Sequence, residues 1–255
     1  MPAVKPIVLY DQKLPLTGLI DDPAGNPAEV GFEADNAANW LTHNAWKPQN
    51  TGNGGFKATI TSTVNAFAIF GHDIGTNGGT VVLQYWDGAL WQDIFTPVSP
   101  SSTEVIIKLF PDQASSNNEF RVLVNSNPVS QIAVCFIGDK TELDKALQLP
   151  LQLPTLGAKP VVYEGVKSNA EFVGRIKLFD LKEANIGQQF VDPDDIRNIW
   201  RPFILHASKK PFFYSWNDTN FPAEGAYVWA KSVSWPVNNN QFLMDYSMEL
   251  EGQVK

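Results

Sequence analysis

Two tryptophans at a predicted turn are the residues best suited to binding a ligand. Trp86 and Trp91 lie on either side of Asp87-Gly88. Aromatic faces beside polar groups form the kind of surface on which the C–H face of a sugar packs. The alternative is a cross-strand aromatic pair that holds the two strands in register. The spacing favours this structural pair and leaves the sugar site open.

A second candidate is the Gly-rich loop 71–79. His72, Asp73 and Asn77 carry polar groups that can bond a ligand or an ion. Because there is no second carboxylate nearby, a purely structural loop is the favoured interpretation. Together with Trp86 and Trp91, these residues form our candidate carbohydrate-binding site.

The sequence offers little for catalysis. Asp21-Asp22 lies in a Pro/Gly turn, where Asp stabilises the turn by local hydrogen bonds. The other acidic cluster, at 192–195, is explained by helix capping. The three histidines lack metal-ligand spacing, and no nucleophile elbow or phosphate loop is present. We therefore expect no catalytic residues, no metal site, no cofactor and no enzymatic activity.

The C-terminal part holds more large aromatic residues than a small sheet needs. They fill either the core or a buried contact between subunits, and the sequence leaves both open. A Leu/Pro repeat at 147–154 adds apolar side chains to the candidate interface. The candidate interface residues are Leu149, Leu151, Leu153, Phe212, Phe213, Tyr214, Trp216, Phe221, Tyr227 and Trp229.

Composition narrows the possible classes of protein. The 255 residues are 44% hydrophobic, which is enough for packed cores and argues against disorder. A net charge of −8 with scattered basic residues disfavours nucleic-acid binding. The single cysteine, Cys135, lies in an apolar run and is expected to be buried. The sequence shows no signal peptide or membrane span, so we expect synthesis and folding in a cytoplasm.

Short β-branched and aromatic runs, separated by turn residues, predict a mainly β protein with an N-terminal β-sandwich. The Asp87-Gly88 turn predicts a hairpin, because a tight turn needs a positive φ that glycine adopts easily. The predicted strands of the sandwich are 57–62, 66–71, 80–86, 104–110, 119–125 and 131–137.

The chain changes character at 141–160, where the Leu/Pro repeat predicts an ordered linker. Residues 161–255 are expected to form a β-rich α+β domain with one helix at about 192–206. Asp192 is its predicted N-cap, and Pro202 is expected to kink or end it within about a turn. Strands are predicted at 171–178, 212–216, 227–234 and 241–251.

The segment 35–40, Trp46, the run 67–88 and Trp91 together resemble the discoidin or galactose-binding-like jelly roll, especially versions found in bacteriophage tail proteins. A His-Asp-Ile-Gly turn at 72–75 precedes the Gly-Thr-Val strand of this pattern. The resemblance covers about residues 30–140, and implies that 1–140 form a jelly roll with an N-terminal arm, 1–30.

The segments 194–200, 211–216 and 221–229 are similar to the C-terminal part of phage minor tail and baseplate proteins. This resemblance implies a tail-tube-like domain and a structural protein of the virion tail, at the position of a distal tail protein. It further implies a hexameric or other ring, assembled in the host cytoplasm, with other tail or baseplate proteins as partners. The alternative is a carbohydrate-binding module that contacts a host surface glycan.

Overall fold

The computed structural model describes residues 5–22, 26–143, 158–166, 172–240 and 243–253. They form two compact units. The jelly-roll unit spans Val8–Thr141, and the C-terminal unit spans Glu142–Val254 together with the N-terminal residues up to Ile7. The sequence assigns the whole N-terminal arm to the jelly roll. The structure assigns its beginning to the C-terminal unit, where the Leu143 amide donates a hydrogen bond to the Pro6 carbonyl at 2.9 Å.

The jelly-roll unit is a β-sandwich, as predicted. One of its sheets has the strand order β2-β3-β8-β5-β6, and the other has the order β1-β9-β4-β7. A short 3-10 helix, Ala34–Ala38, follows β2. The strands are β1 (Ile7–Gln12), β2 (Ile20–Asp21), β3 (Gly52–Thr59), β4 (Val64–Phe70), β5 (Thr80–Trp86), β6 (Trp91–Asp93), β7 (Ile106–Gln113), β8 (Glu119–Ser126) and β9 (Val134–Glu142).

The core of this unit lies between the two sheets. Strand residues alternate between the two faces of a sheet, and β8 shows this alternation with every second residue buried. Phe120 and Val122 of β8 point inward and meet Phe67 of β4 and Cys135 of β9 in one hydrophobic cluster. Burial raises the pKa of the Cys135 thiol, which keeps it uncharged. Arg121, between the two inward residues of β8, therefore lies on the outer face.

The C-terminal unit is an antiparallel sheet with one helix among its described residues. The sheet order is β10-β11-β14-β13-β12. Its strands reach 20 residues, far longer than predicted. They are β10 (Ala158–Val166), β11 (Phe172–Val191), β12 (Phe212–Ser215), β13 (Gly225–Asn240) and β14 (Leu243–Gln253).

The helix begins as α1 (Pro193–Asp195), continues as a π-helical turn (Ile196–Trp200) and ends as α2 (Arg201–Ala207). Asp192 caps it as predicted, accepting from the Asp194 amide at 2.8 Å. The helix ends at Ala207, about a turn beyond Pro202, in agreement with the prediction. The π turn at Ile196–Trp200 precedes Pro202, which lies in the first turn of α2, where a proline is tolerated.

The helix packs on the sheet through aromatic side chains. Trp200 lies 4.0 Å from Tyr246 of β14 between ring centroids, and Phe203 meets Phe212 of β12 edge-on at 4.8 Å. All four rings are buried. The helix therefore covers this face of the sheet. Within the described ranges, no helix has the length and apolar character needed to cross a membrane.

Candidate functional site

The predicted hairpin is present and places both tryptophans at its end. β5 ends at Trp86 and β6 begins at Trp91, which are direct partners in the antiparallel register. The Asp87 amide donates to the Leu90 carbonyl at 3.1 Å across the turn. Gly88 has φ +108°, a conformation that side chains rarely adopt. Ser115 and Ser116, which precede β8, donate hydroxyl hydrogen bonds to the Trp86 and Asp87 carbonyls and fix the turn.

The two indoles form a rigid, partly exposed aromatic surface. Their ring centroids are 5.4 Å apart at an interplanar angle of 67°. Arg121 of β8 lies over the Trp91 ring, with its guanidinium carbon 4.4 Å from the centroid. Edge-to-face pairing and a cation over an indole are both favourable geometries. The orientation of Trp91 is therefore fixed from two sides.

Arg121 is held by a polar network on the outer face of the sheet. Its Nη1 donates to Asp22 Oδ2 at 2.7 Å, and its Nε donates to Gln84 Oε1 at 2.8 Å. The Gln84 amide in turn donates to Asp93 Oδ1 at 2.6 Å. Sequence reasoning missed Arg121, Gln84 and Asp22 as supports of the site. For Arg121 the signal was its alternation with the buried residues Phe120 and Val122, but only the strand register places it opposite Gln84.

Asp87 is a fixed hydrogen-bond acceptor beside the indoles. Its carboxylate accepts from the Ala89 and Leu90 amides and from the Gln92 side chain, each at 2.8 Å. These hydrogen bonds hold the pKa of the Asp87 carboxyl below its usual range. The carboxylate therefore stays ionised at neutral pH.

The predicted loop residues bond to their own neighbourhood. His72 is buried, and its Nε2 lies 2.7 Å from the Glu104 carbonyl oxygen. Asp73 accepts from the Gln131 amide at 2.8 Å. Asn77 donates to the Val129 carbonyl at 3.0 Å and to the Ser130 hydroxyl at 3.1 Å. These contacts are those of a structural loop, and a ligand contact by these residues stays a prediction.

The five candidate residues do not form one site. The loop 71–79 precedes β5, and the tryptophan hairpin follows it. A strand of seven residues spans about 20 Å. One sugar ring therefore cannot touch both the loop and the hairpin. The structure brings together Trp86 and Trp91 and leaves His72, Asp73 and Asn77 at the other end of the strand.

The burial of His72 makes a pH dependence of stability expected. Burial lowers the pKa of His72 below its ordinary value of about 6.5, and its Nδ1 has no hydrogen-bond partner among the described residues. The unfolded chain then binds more protons than the native chain as the pH falls through 6.5. The free energy of unfolding should therefore fall between pH 6.5 and the lower native pKa, by about 1.4 kcal/mol for each pKa unit separating the two states.

Urea unfolding at a series of pH values measures this dependence. His72→Gln should flatten the curve below pH 6.5, whereas His43→Gln, at an exposed histidine, should leave it as in the wild type. Equal pH dependence in wild type and His72→Gln would show that the pKa of His72 is not lowered in the native state.

Most of the predicted interface aromatics of the C-terminal unit are in the interior. Phe212, Phe213, Tyr214 and Tyr227 are buried within the chain. These four side chains therefore pack in the core, because a side chain without exposed surface cannot contact another subunit. The predicted interface is incorrect for them.

Three other aromatics reach the surface. Trp216 stacks on Phe221 at 5.1 Å, and its indole donates to Glu224 Oε2 at 2.6 Å. Phe221 is 45% exposed, and Trp229 is partly exposed. An interface role for these three stays a prediction. Leu149, Leu151 and Leu153 lie outside the described residues.

No protein-family model matches the chain, and no curated protein matches it. Among solved structures, a CBM32-5 module from Clostridium perfringens, in complex with GalNAc-β-1,3-galactose, is similar at 14% identity and a TM-score of 0.40, over 49% of this chain and 98% of that chain. The family 32 carbohydrate-binding module of Clostridium perfringens NanJ, in complex with galactose, is similar at 11% identity and a TM-score of 0.39, over 51% and 98%.

A pectin-binding carbohydrate-binding module is also similar, at 13% identity and a TM-score of 0.37, over 49% of this chain and 91% of that chain. These three solved structures are of carbohydrate-binding modules, and each likeness covers about half of this chain.

Proposed function

We propose that the protein is a non-catalytic glycan-binding protein, and that Trp86 and Trp91 contact the sugar. The observation that carries this proposal is the fixed, partly exposed indole pair at the end of the β5–β6 hairpin. The apolar C–H face of a pyranose packs on one indole, and its hydroxyls bond to polar groups at the rim of the pair.

The rim supplies the polar groups that orient a sugar. Asp87 is ionised and accepts from sugar hydroxyls, and Gln92 lies 2.8 Å from it. Since Arg121 and the turn hydrogen bonds already hold Trp91 and Asp87, little conformational entropy is lost when a ligand binds. Such preorganisation is the main route to useful affinity at a small site.

The state of the carboxylates supports binding without hydrolysis. A glycosidase of the usual kind needs one carboxyl that stays protonated and a second carboxylate at a set separation. Asp87 is held ionised by its hydrogen bonds. Asp22 and Asp93 hold Arg121 and Gln84 in place. Asp87 is therefore an acceptor rather than a proton donor, and Asp22 and Asp93 have structural roles.

Alanine substitution separates the sugar site from a purely structural pair. We expect Trp86→Ala and Trp91→Ala to reduce binding to an array of immobilised glycans at least tenfold, with the unfolding midpoint in urea little changed. Affinity is lost because the packing surface for the sugar ring is removed, while the turn keeps its backbone hydrogen bonds.

Leu90→Ala is the matched control, since Leu90 lies in the same turn and is 66% exposed without contributing an aromatic face. It should bind as the wild type does. If both tryptophan variants lower stability and leave glycan binding intact, the pair is structural and the proposed function is wrong.

The tail-ring function, the virion location, the hexamer and the phage partners stay predictions of the resemblance. The indole pair supports glycan binding whether or not the protein assembles into a ring.

A further inference from the structure

We propose a second saccharide-binding site, in the C-terminal unit, at a cavity of about 410 Å³ on the sheet face formed by β11, β14 and β13. It takes a pyranose ring, which packs on Trp235 and hydrogen-bonds to the polar floor. This site is separate from the Trp86–Trp91 pair, and the proposal does not depend on that pair binding a glycan.

The floor of the cavity is a row of the smallest side chains. Gly187 of β11 and Ser234 of β13 both lie opposite Ser247 of β14. Directly opposed residues of antiparallel strands point to the same face of a sheet. Three adjacent positions therefore present no side chain larger than a hydroxymethyl group, which leaves a depression between longer neighbours.

Two bulges open the cavity at the same level of β14. β11 has one extra residue between Gln188 and Val191, and β13 has one extra residue between Ser234 and Val237, each set against β14. Bulges redirect side chains and concentrate beside functional sites. Here the bulge in β13 contains Trp235, which lines the cavity and is 62% exposed.

The bulge in β11 carries backbone strain beside the cavity. Phe190 has φ +58°, which a non-glycine residue rarely adopts, and its amide donates to Asp245 Oδ1 at 3.1 Å. Strained residues of this kind cluster at ligand sites. The strained turn places the Asp245 carboxylate at the cavity, where Asp245 and Gln189 are among the lining residues.

The floor is supported from beneath. Tyr246, next to the floor residue Ser247, is buried, and its ring lies 4.0 Å from that of Trp200 in the helix. The helix packs against the opposite face of the sheet at this point, so the floor of the cavity rests on a packed layer.

The lining selects the class of ligand. An exposed indole wall offers packing to an apolar face, and two serine hydroxyls, a carboxylate and a primary amide offer donors and acceptors to a ring of hydroxyl groups. A volume of about 410 Å³ lies in the range of small-ligand sites, roughly 300–1,000 Å³. A neutral pyranose combines one apolar face with several hydroxyls and fits both requirements.

Fluorine NMR of the protein labelled with 5-fluorotryptophan tests this proposal. The Trp235 resonance is assigned by its loss in Trp235→Phe. The probes are the methyl pyranosides of galactose, glucose, mannose and N-acetylglucosamine at millimolar concentration. We expect at least one of them to shift the Trp235 resonance saturably.

Gly187→Leu fills the depression and should weaken that binding at least tenfold. The backbone tolerates a side chain here, because a Cβ at Gly187 meets nothing nearer than the Tyr246 carbonyl oxygen at 4.0 Å. Gly187→Ala is the matched control and should retain binding. An unchanged Trp200 resonance in both variants confirms that the unit is folded.

A Trp235 resonance that no glycoside moves would overturn the proposal, as would a shift that persists unchanged in Gly187→Leu. Resonances of Trp86 and Trp91 report separately on the hairpin. Failure at the hairpin with saturable binding at Trp235 would reject Trp86 and Trp91 as the sugar contacts and leave this second site standing, and the reverse pattern would reject this second site alone.

Discussion

Gly55→Ala is expected to destabilise the jelly-roll unit by about 3 kcal/mol, the upper end of the range for overpacked sites. A Cβ at Gly55 of β3 would lie 2.1 Å from the Val122 carbonyl oxygen and 2.8 Å from the Asp22 carbonyl oxygen. Both obstacles are main-chain atoms of neighbouring segments. They cannot rotate away as a flexible side chain can, so the strands themselves must separate.

The same displacement should reach the tryptophan hairpin. The Asp22 amide donates to the Gly55 carbonyl at 2.9 Å, and the Asp22 carboxylate holds Arg121 over Trp91. Moving Asp22 therefore removes one support of the indole. Urea unfolding gives the stability, and the fluorine resonance of Trp91 reports the local change.

Gly187→Ala is the control for this experiment, since its Cβ has only an ordinary contact. It should change the free energy of unfolding by less than about 0.5 kcal/mol. A Gly55→Ala protein as stable as the wild type would mean that β3 does not pass this close to Val122 and Asp22.

Trp46→Ala is expected to lower the free energy of unfolding by about 3–5 kcal/mol, as is usual for truncating a buried large aromatic residue. Trp46 has no exposed surface, and it meets Phe56 edge-on at 5.4 Å between ring centroids. Its amide and carbonyl also pair with Ile132, at 2.8 and 2.9 Å. The backbone pairing holds the neighbouring chain in place, so the cavity left by the indole cannot readily collapse.

Trp46→Phe should cost clearly less, because a phenyl ring fills most of the space. It also removes the indole N–H, which has no hydrogen-bond partner among the described residues and is costly to bury. Trp235→Ala, at an exposed tryptophan, is the surface control and should change stability little. The midpoint of urea-induced unfolding measures all three variants. Equal stability of the Trp46→Ala and Trp235→Ala proteins would contradict the burial of Trp46.

The parts of the fold that rest on neighbouring residues were predictable. The Asp87-Gly88 hairpin follows from the positive φ of Gly88, and the start of the helix follows from Asp192 and Pro193. In each case, the residues that form the hydrogen bonds lie within a few positions of one another. The end of the helix at Ala207, about a turn after Pro202, was also predictable, whereas the π turn at Ile196–Trp200 was not, because π turns have no simple sequence signal.

The supports of the indole pair were beyond the reach of sequence patterns. Arg121 binds Asp22 across 99 residues of sequence and binds Gln84 across 37. Period-two alternation shows that Arg121 faces outward, but a strand can pair in several registers. Only the observed pairing of β8 with β5 places the guanidinium of Arg121 beside Gln84 and over the ring of Trp91.

The sequence by itself determined the mainly β class, the sandwich, the hairpin with its two tryptophans and the start of the helix, because local backbone preferences and alternating burial specify these features. The tertiary structure decided which residues meet. It separated His72 from Trp86 by the length of β5, it buried Phe212 and Tyr214, and it aligned two bulges around β14 to open a cavity. Strand register and bulge position depend on packing across the whole sheet, so no single stretch of the chain encodes them.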